Sequence, residues 1–217
     1  MANTCFTTIT ITHKNERKVK DFFEKVDTWA KKGYLDNDYN RPNIDYWWLG
    51  NIVGNSGIAK WTKKENGDSD FVPNIRCRGM LTRLELNGNQ IIIDTETAWS
   101  PMLEMWQLLC QKYLRGAEIY YTADEGGNEL YQTNDPDMIG KYYIDIIDNV
   151  PEEFDDIAES EYEATEEMVI KLLQRVLHSD ETDIKKLLDL LDESDVEDWL
   201  HIHKWETVEI AEIIDCE

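Results

Sequence analysis

The residue types that do chemistry are present in this chain, but their spacings do not assemble a known catalytic centre. His201-Ile202-His203, with Glu206 and His178, offers imidazole and carboxylate donors to a metal. On a helix, residues two apart point about 200° from each other, so these imidazoles would converge only on a strand or loop. No Cys or Asp stands at a supporting ligand spacing, and we expect no metal. Asp94, Glu96, Asp124 and Glu125 could gather at strand ends as an acid-base pair or a Mg²⁺ site. In a chain with 45 Asp+Glu, such gatherings also arise by chance. Gly54-Asn55-Ser56-Gly57 lacks both the lysine of a phosphate loop and the strand-to-helix setting of a nucleophile elbow, so it reads as a turn. Neither a catalytic residue nor a cofactor is expected.

Charge carries more information. The net charge is −23, and residues 1–116 hold 16 Lys+Arg against 14 Asp+Glu, whereas residues 117–217 hold 6 against 31. Nine carboxylates fall within sixteen residues without an intervening base: Glu152, Glu153, Asp155, Asp156, Glu159, Glu161, Glu163, Glu166 and Glu167. Like charges on neighbouring helical turns repel by about a few tenths of a kcal/mol per pair, a cost that interspersed lysines would normally relieve. Such a surface repels nucleic acid and anionic membranes and attracts a basic one. Trp47, Trp48 and Trp61, in an irregular stretch, form a second candidate surface for a ligand or partner. Packing offers a simpler expectation, in which the three indoles are buried and pin the stretch to the domain.

The elements that must position these groups are legible in part. Cys5–Thr12 alternates as a strand, and Asn15 caps a helix with a stripe of Val19, Phe22, Phe23, Val26 and Ala30, stopped at Gly33. Residues 80–96 read as a hairpin turning at Asn87-Gly88. Ser100-Pro101 then starts a helix with Met102, Met105, Trp106, Leu109 and Tyr113 on one side, closed at Gly116, and Trp99 is expected to seal the hairpin against it. Residues 118–123, 129–133 and 141–148 read as further strands. The order is that of a split β-α-β sheet, so the expected fold is α+β, a ferredoxin-like, mainly antiparallel sheet with helices on one face. Residues 1–150 form that domain, with an insertion at 34–78. Residues 151–217 form an acidic α-helical region, with helices started by Ser160, by Ser179 or Thr182, and by Ser194.

Four scattered cysteines suit a reducing compartment. The N-terminus has no signal-peptide pattern, and no apolar run reaches the roughly 18 residues of a membrane span. A cytoplasmic protein with no membrane partner is the expectation.

Arg78-Gly79 followed by the hairpin and Thr95-Glu96-Thr97-Ala98-Trp99-Ser100-Pro101, together with Met1-Ala2-Asn3-Thr4-Cys5 leading into a Thr/Ile-rich strand, resembles the YubB / Api92-like family of phage and plasmid proteins. The likeness covers roughly residues 1–133. Where that family often carries a Trp-Gly-Thr-Lys-Trp-like run, this chain has the divergent Trp48-Leu49-Gly50-Asn51 and Lys60-Trp61. The resemblance implies a ferredoxin-like domain and a mobile-element origin, and it brings no catalytic residues. With the charge, it leads to the expectation of a phage or mobile-element interaction protein. Its acidic surface would occupy a basic, nucleic-acid-binding host defence protein, as anti-CRISPR or anti-restriction inhibitors do, without touching nucleic acid itself. The alternatives are a small-ligand binder or enzyme with a pocket under the Trp-rich insertion, or acidity that only confers solubility.

Overall fold

The computed structural model describes residues 3–33, 47–63, 71–147, 150–157 and 159–211. The chain forms a mixed α+β structure in two compact units, Met1–Leu130 with Glu209–Glu217, and Tyr131–Val208. The division falls at Leu130, ahead of the boundary read at 150.

In the first unit, β1 (Thr4–Thr12) is followed by α1 (Glu16–Lys31), α2 (Leu49–Ser56), the short strands β2 (Trp61–Lys63) and β3 (Phe71–Pro73), the hairpin β4 (Gly79–Asn87) and β5 (Gln90–Ala98), α3 (Leu103–Tyr113) and β6 (Glu118–Glu125). Four strands lie in the order β6-β1-β5-β4, and every adjacent pair is antiparallel. Alternation along β1 sends Cys5, Ile9 and Ile11 to one face, where they join Val19, Phe22, Val26 and Ala30 of α1 and Met105, Trp106 and Leu109 of α3 in one core. Gly88 supplies φ +57 as the first of the two residues linking Asn87 to Gln90, so the left-handed position lies one residue after the Asn87 expected to open it. A bulge between Leu81 and Arg83 resets the alternation of β4, turning Leu81 and then Leu84 inward and leaving Leu86 exposed.

The 34–78 segment contributes to this core. Leu49, Ile52 and Val53 of α2 are fully buried. Its polar residues have a structural task, because α1 ends at Lys32 with no left-handed glycine cap. Asn51 Nδ2 donates to Ala30 O at 3.4 Å, and Asn55 Nδ2 donates to Trp29 O at 3.2 Å and Lys32 O at 2.5 Å. One face of α2 therefore caps the free carbonyls of another helix. Gly50 is required where the Trp48 ring lies against the backbone, since a Cβ there would overlap the indole.

α3 begins at Leu103, later than Ser100 predicts, with Met102 as a cap that offers no side-chain acceptor. Thr97 Oγ1 donates to Ser100 O at 2.9 Å, holding the residues before the helix in a turn. Trp99 does not seal the hairpin: it adopts φ +73 and is 48% exposed. The reversal between β5 and α3 fixes its backbone and turns the indole outward, a conformation uncommon for a bulky residue.

The second unit is not an all-helical tail. β7 (Leu130–Thr133), β8 (Tyr142–Ile146), β9 (Glu161–Ala164), α4 (Glu166–Val176), α5 (Ile184–Asp192), β10 (Leu200–Lys204) and β11 (Glu206–Thr207) follow in sequence. β8, expected as the last strand of the first sheet, is the centre of a three-stranded antiparallel sheet β10-β8-β9. β11 runs parallel to β7. Ser160 is no helix cap, because Glu161–Ala164 pairs with β8 and Ser160 Oγ instead accepts from Ile146 N at 2.9 Å. Thr165 caps α4 through Met168 N, and Asp183 caps α5 through Lys185 N and Lys186 N. The helix expected from Ser194 is a short 3-10 turn, Asp195–Asp198, leading into β10, whose Leu200 and Ile202 turn to the core. Ser194 does cap that turn, accepting from Val196 N at 3.3 Å, and pairing of Leu200–Lys204 with β8 keeps it short, whereas at Glu161–Ala164 pairing with β8 outweighs the local capping signal. Val169, Leu173 and Val176 of α4 meet Leu187 and Leu191 of α5 in the core of this unit.

Candidate functional site

Placing the nine carboxylates on this framework divides them by local structure and by compensation. Glu152 and Glu153 sit in a 3-10 turn, Asp155 and Asp156 just past it, Glu159 in a bend, Glu161 and Glu163 on β9, and Glu166 and Glu167 in the first turn of α4. Both carboxylates of α4 lie at the positive end of its dipole, where they stabilise the helix. Three of the nine find cations that are distant in sequence or one turn away. Asp156 takes a bidentate pair from Arg175 at 2.7 and 2.6 Å, Glu163 meets Lys141 at 3.0 Å and Glu167 meets Lys171 at 2.7 Å. The Arg175 and Lys171 hydrogen bonds hold the Asp156 and Glu167 carboxyls below the usual carboxylate range. Glu166 accepts from Tyr142 Oη at 3.3 Å. Glu152, Glu153, Asp155, Glu159 and Glu161 are exposed and have no ion-pair partner among the described residues. The run is thus partly compensated, and its free charge is concentrated in Glu152–Glu161.

The whole second unit carries this sign, with 23 Asp+Glu against 6 Lys+Arg over Tyr131–Val208, a net −17. Outside the acidic run, Glu181 is pushed down to about 2, first by the Asp183 N–H, then by the Thr182 N–H and Lys186.

A pocket of about 580 Å³ opens within this unit, beside Glu153. Phe154, Trp199 and Val176 line it as buried groups, while the side chains of Glu153, His178, Asp195 and Asp198 around it are exposed. The Phe154 and Trp199 rings stack with centroids 5.5 Å apart and 25° between planes. The Arg175 guanidinium carbon lies 5.7 Å from the Phe154 centroid. His178 occupies the left-handed position that ends α4, at φ +50, where Ser179 N bonds Gln174 O and His178 N bonds Arg175 O. This is a Schellman closure with histidine where glycine is usual. Sequence reasoning did not find this pocket. The one available signal was Phe154, an aromatic set between Glu152-Glu153 and Asp155-Asp156.

The other candidates disperse. Asp94 accepts from Thr8 Oγ1 at 2.9 Å, and Glu96 and Asp124 face Phe6 from either side through the sheet register. Glu125 is buried on the opposite face, accepting from Gly127 N at 3.0 Å and from Asn128 Nδ2. The four carboxylates do not form one centre. His201 and His203 lie on strand β10, where residues two apart share a face. His203 stacks on Tyr131 at 3.8 Å, and His201 Nε2 lies 3.0 Å from Glu197 O. Among the described residues no group of three or more His, Cys, Asp or Glu side chains is placed to hold a metal. Cys5, Cys77 and Cys110 are free and buried. Burial pushes the Cys77 thiol up to about 11 and the Cys110 thiol to about 12, and raises Cys5, so all three are protonated and weakly nucleophilic at neutral pH.

Trp47 is 39% exposed, contrary to the burial expected of it, because it precedes α2 with its carbonyl held by Leu81 N at 2.8 Å and its ring outside the core. Trp48 is half-buried over Gly50, and Trp61 opens β2 with a side chain outside the described residues. Residues 34–46 and 64–70 of the insertion also lie outside them. No helix among the described residues is long and apolar enough to cross a membrane. Comparison with protein-family models, with curated proteins and with solved structures finds no match.

Proposed function

We propose that this chain is an interaction protein of a phage or related mobile element, whose acidic second unit occupies the basic, nucleic-acid-binding surface of a host defence protein. The observation that carries the reading is the asymmetry of charge: a net −17 on Tyr131–Val208, with Glu152, Glu153, Asp155, Glu159 and Glu161 unpaired among the described residues. A unit needing charge only for solubility gains little from such an excess, since modest net charge suffices. A basic partner converts the internal repulsion into attraction and faster encounter. Mobile-element origin and a ferredoxin-like first unit belong to the same proposal. The Thr97–Pro101 motif and the antiparallel strand order β6-β1-β5-β4, interleaved with α1 and α3, support them.

The acidic surface differs from a regular phosphate ladder, because its carboxylates come from a 3-10 turn, a bend, a strand and a helix start. The mimicry we propose is of field and not of helical spacing. The test is capture from a bacterial lysate on the immobilised chain, followed by elution with duplex DNA at constant ionic strength. Proteins that bind DNA themselves, released by DNA and absent from a Glu152→Lys, Asp155→Lys, Glu159→Lys, Glu161→Lys column, are the expected result. Capture that ignores both DNA and charge reversal refutes the reading. A second reading, a small-ligand or catalytic pocket under the 34–78 insertion, draws on the exposure of Trp47 beside half-buried Trp48. It predicts that Trp47→Ala abolishes activity while charge reversal leaves it intact.

A further inference from the structure

One aromatic of the acidic stretch is both exposed and held rigid. Tyr162, on β9 between Glu161 and Glu163, is 49% exposed, whereas Tyr142 and Tyr143 on the neighbouring strand β8 are buried. One face of its ring stacks on Tyr143, with centroids 4.4 Å apart and 15° between planes, and the Tyr143 hydroxyl in turn donates to Asp145 at 3.0 Å. The Tyr162 carbonyl accepts from Trp205 Nε1 at 2.9 Å. Glu161 Oε1 accepts from Glu163 N at 3.1 Å, a bond that spans Tyr162. Ring and backbone are therefore both pinned, while half of the side chain stays in solvent. The geometry points to Tyr162 as the anchor of the docking surface, with its outer ring face receiving an arginine side chain of the basic partner.

Other aromatics of this unit have a cation of the chain over the ring: Lys204 Nζ lies 5.5 Å from the Tyr142 centroid, and the Arg175 guanidinium carbon 5.7 Å from that of Phe154. Among the described residues, neither a cation nor a second ring covers the outer face of Tyr162. A cation over such a face is attracted by the ring quadrupole. Tyrosine and arginine are enriched among the residues that dominate interface energies, and a side chain immobilised before binding has little freedom left to lose. The charge of the unit selects the occupant. A net −17 on Tyr131–Val208 repels phosphates, which disfavours a stacked nucleotide and favours a cationic side chain. Glu161 has no ion-pair partner among the described residues, so a guanidinium over Tyr162 finds a free carboxylate on the adjacent residue. Arginine fits better than lysine because a planar guanidinium can stack on a ring and donate to a carboxylate at once, whereas an ammonium is a compact, strongly hydrated charge.

This inference rests on the reading of the acidic unit as a docking surface, but its test needs no natural partner. A peptide of four Arg-Gly repeats and one of four Lys-Gly repeats, equal in charge, are titrated into the full chain. The ring signals of Tyr162, assigned with a Tyr162→Leu variant, are followed by NMR. We expect a saturable shift of those signals with the arginine peptide, and tighter binding of it than of the lysine peptide by about threefold to fivefold. Tyr162→Leu should bring the arginine peptide to the affinity of the lysine peptide, and Tyr162→Phe, which keeps the ring, should retain the preference. No shift at Tyr162, equal binding of the two peptides by the unaltered chain, a preference that survives Tyr162→Leu, or one that is lost in Tyr162→Phe overturns the assignment. The comparison of peptides on the unaltered chain decides the matter even where a variant folds poorly. Equal but salt-sensitive binding of both peptides would remove the anchor and leave the acidic surface standing. An arginine preference at Tyr162, with lysate capture indifferent to DNA and to charge reversal, would keep the anchor and remove that reading.

Discussion

The two units bury their cores by similar means and dress their surfaces differently. In the first, a four-stranded sheet carries α1, α2 and α3 on a single core, and 22 Lys+Arg in the whole chain are distributed so that 16 fall in residues 1–116. In the second, a smaller sheet supports α4 and α5, and carboxylates occupy turns, strand edges and helix starts alike. Structural needs explain only some of these acids: Asp183 caps α5, Glu166 and Glu167 sit at a helix N-terminus, and Asp156 holds Arg175. Glu152, Glu153, Asp155 and Glu159 have no ion-pair partner among the described residues, and Glu161 accepts only from the Glu163 N–H at 3.1 Å. On the proposed reading, that surplus marks a surface kept for a partner and not for folding.

The contrast breaks first at the cores. Trp106→Ala in the first unit should cost about 3–5 kcal/mol and Leu173→Ala in the second about 2–5 kcal/mol, read from denaturant midpoints of the full chain. Both residues are fully buried, so a loss below about 1 kcal/mol at either would mean that the unit is not held by the core assigned to it.

Asn51→Ala should cost about 1–3 kcal/mol, because it leaves the Ala30 carbonyl buried without this donor. Asn51→Asp should not rescue it, since a carboxylate offers no donor. That residue also shows where sequence reasoning lost information. Leu-Gly-Asn-Ile-Val-Gly-Asn-Ser has the composition of a turn, and its helical state depends on α1 carbonyls more than twenty residues upstream. Local rules served well where the chain decides locally: the strand at β1, the Asn15 cap and the hairpin were legible for that reason. They failed at Ser160, and at Ser194 they found the cap but not the length of the helix, because pairing with β8 dictates strands at Glu161–Ala164 and Leu200–Lys204. The acidic surface was legible as composition, but the compensation by Arg175, Lys141 and Lys171 and the pocket around Phe154 depend on which segments the fold brings together.

Ionic strength should distinguish the units next. Raising salt from about 0.1 M to about 1 M shortens the screening length from about 10 Å to about 3 Å. Hydrogen exchange should then slow in α4 and β9, where like charges are relieved, and change little in β1 and β5. Uniform slowing in both units would indicate a general salt effect in place of relieved repulsion.

A smaller effect lies at Glu181, whose carboxyl is held down to about 2 by the Asp183 and Thr182 N–H groups and Lys186. Its folded value is below its unfolded one, so its contribution is fully present above the ordinary glutamate value of about 4.3. That contribution is lost as pH falls through about 2. Glu181→Gln should flatten the acid limb of the stability profile over that window, and an unchanged limb would contradict the assigned hydrogen bonds.

The central claim is that the unpaired acids of the second unit exist for a basic partner. It is tested most directly by measuring the dissociation constant of the purified chain for a DNA-binding protein obtained from the lysate capture, as a function of salt. The chain and its Glu152→Lys, Asp155→Lys, Glu159→Lys, Glu161→Lys variant are compared. The account predicts affinity that falls steeply with salt for the unaltered chain, competition by duplex DNA, and no measurable binding by the variant, whose spectrum remains that of a folded protein. Equal affinity of the two chains, or a constant that does not move with salt, would contradict it.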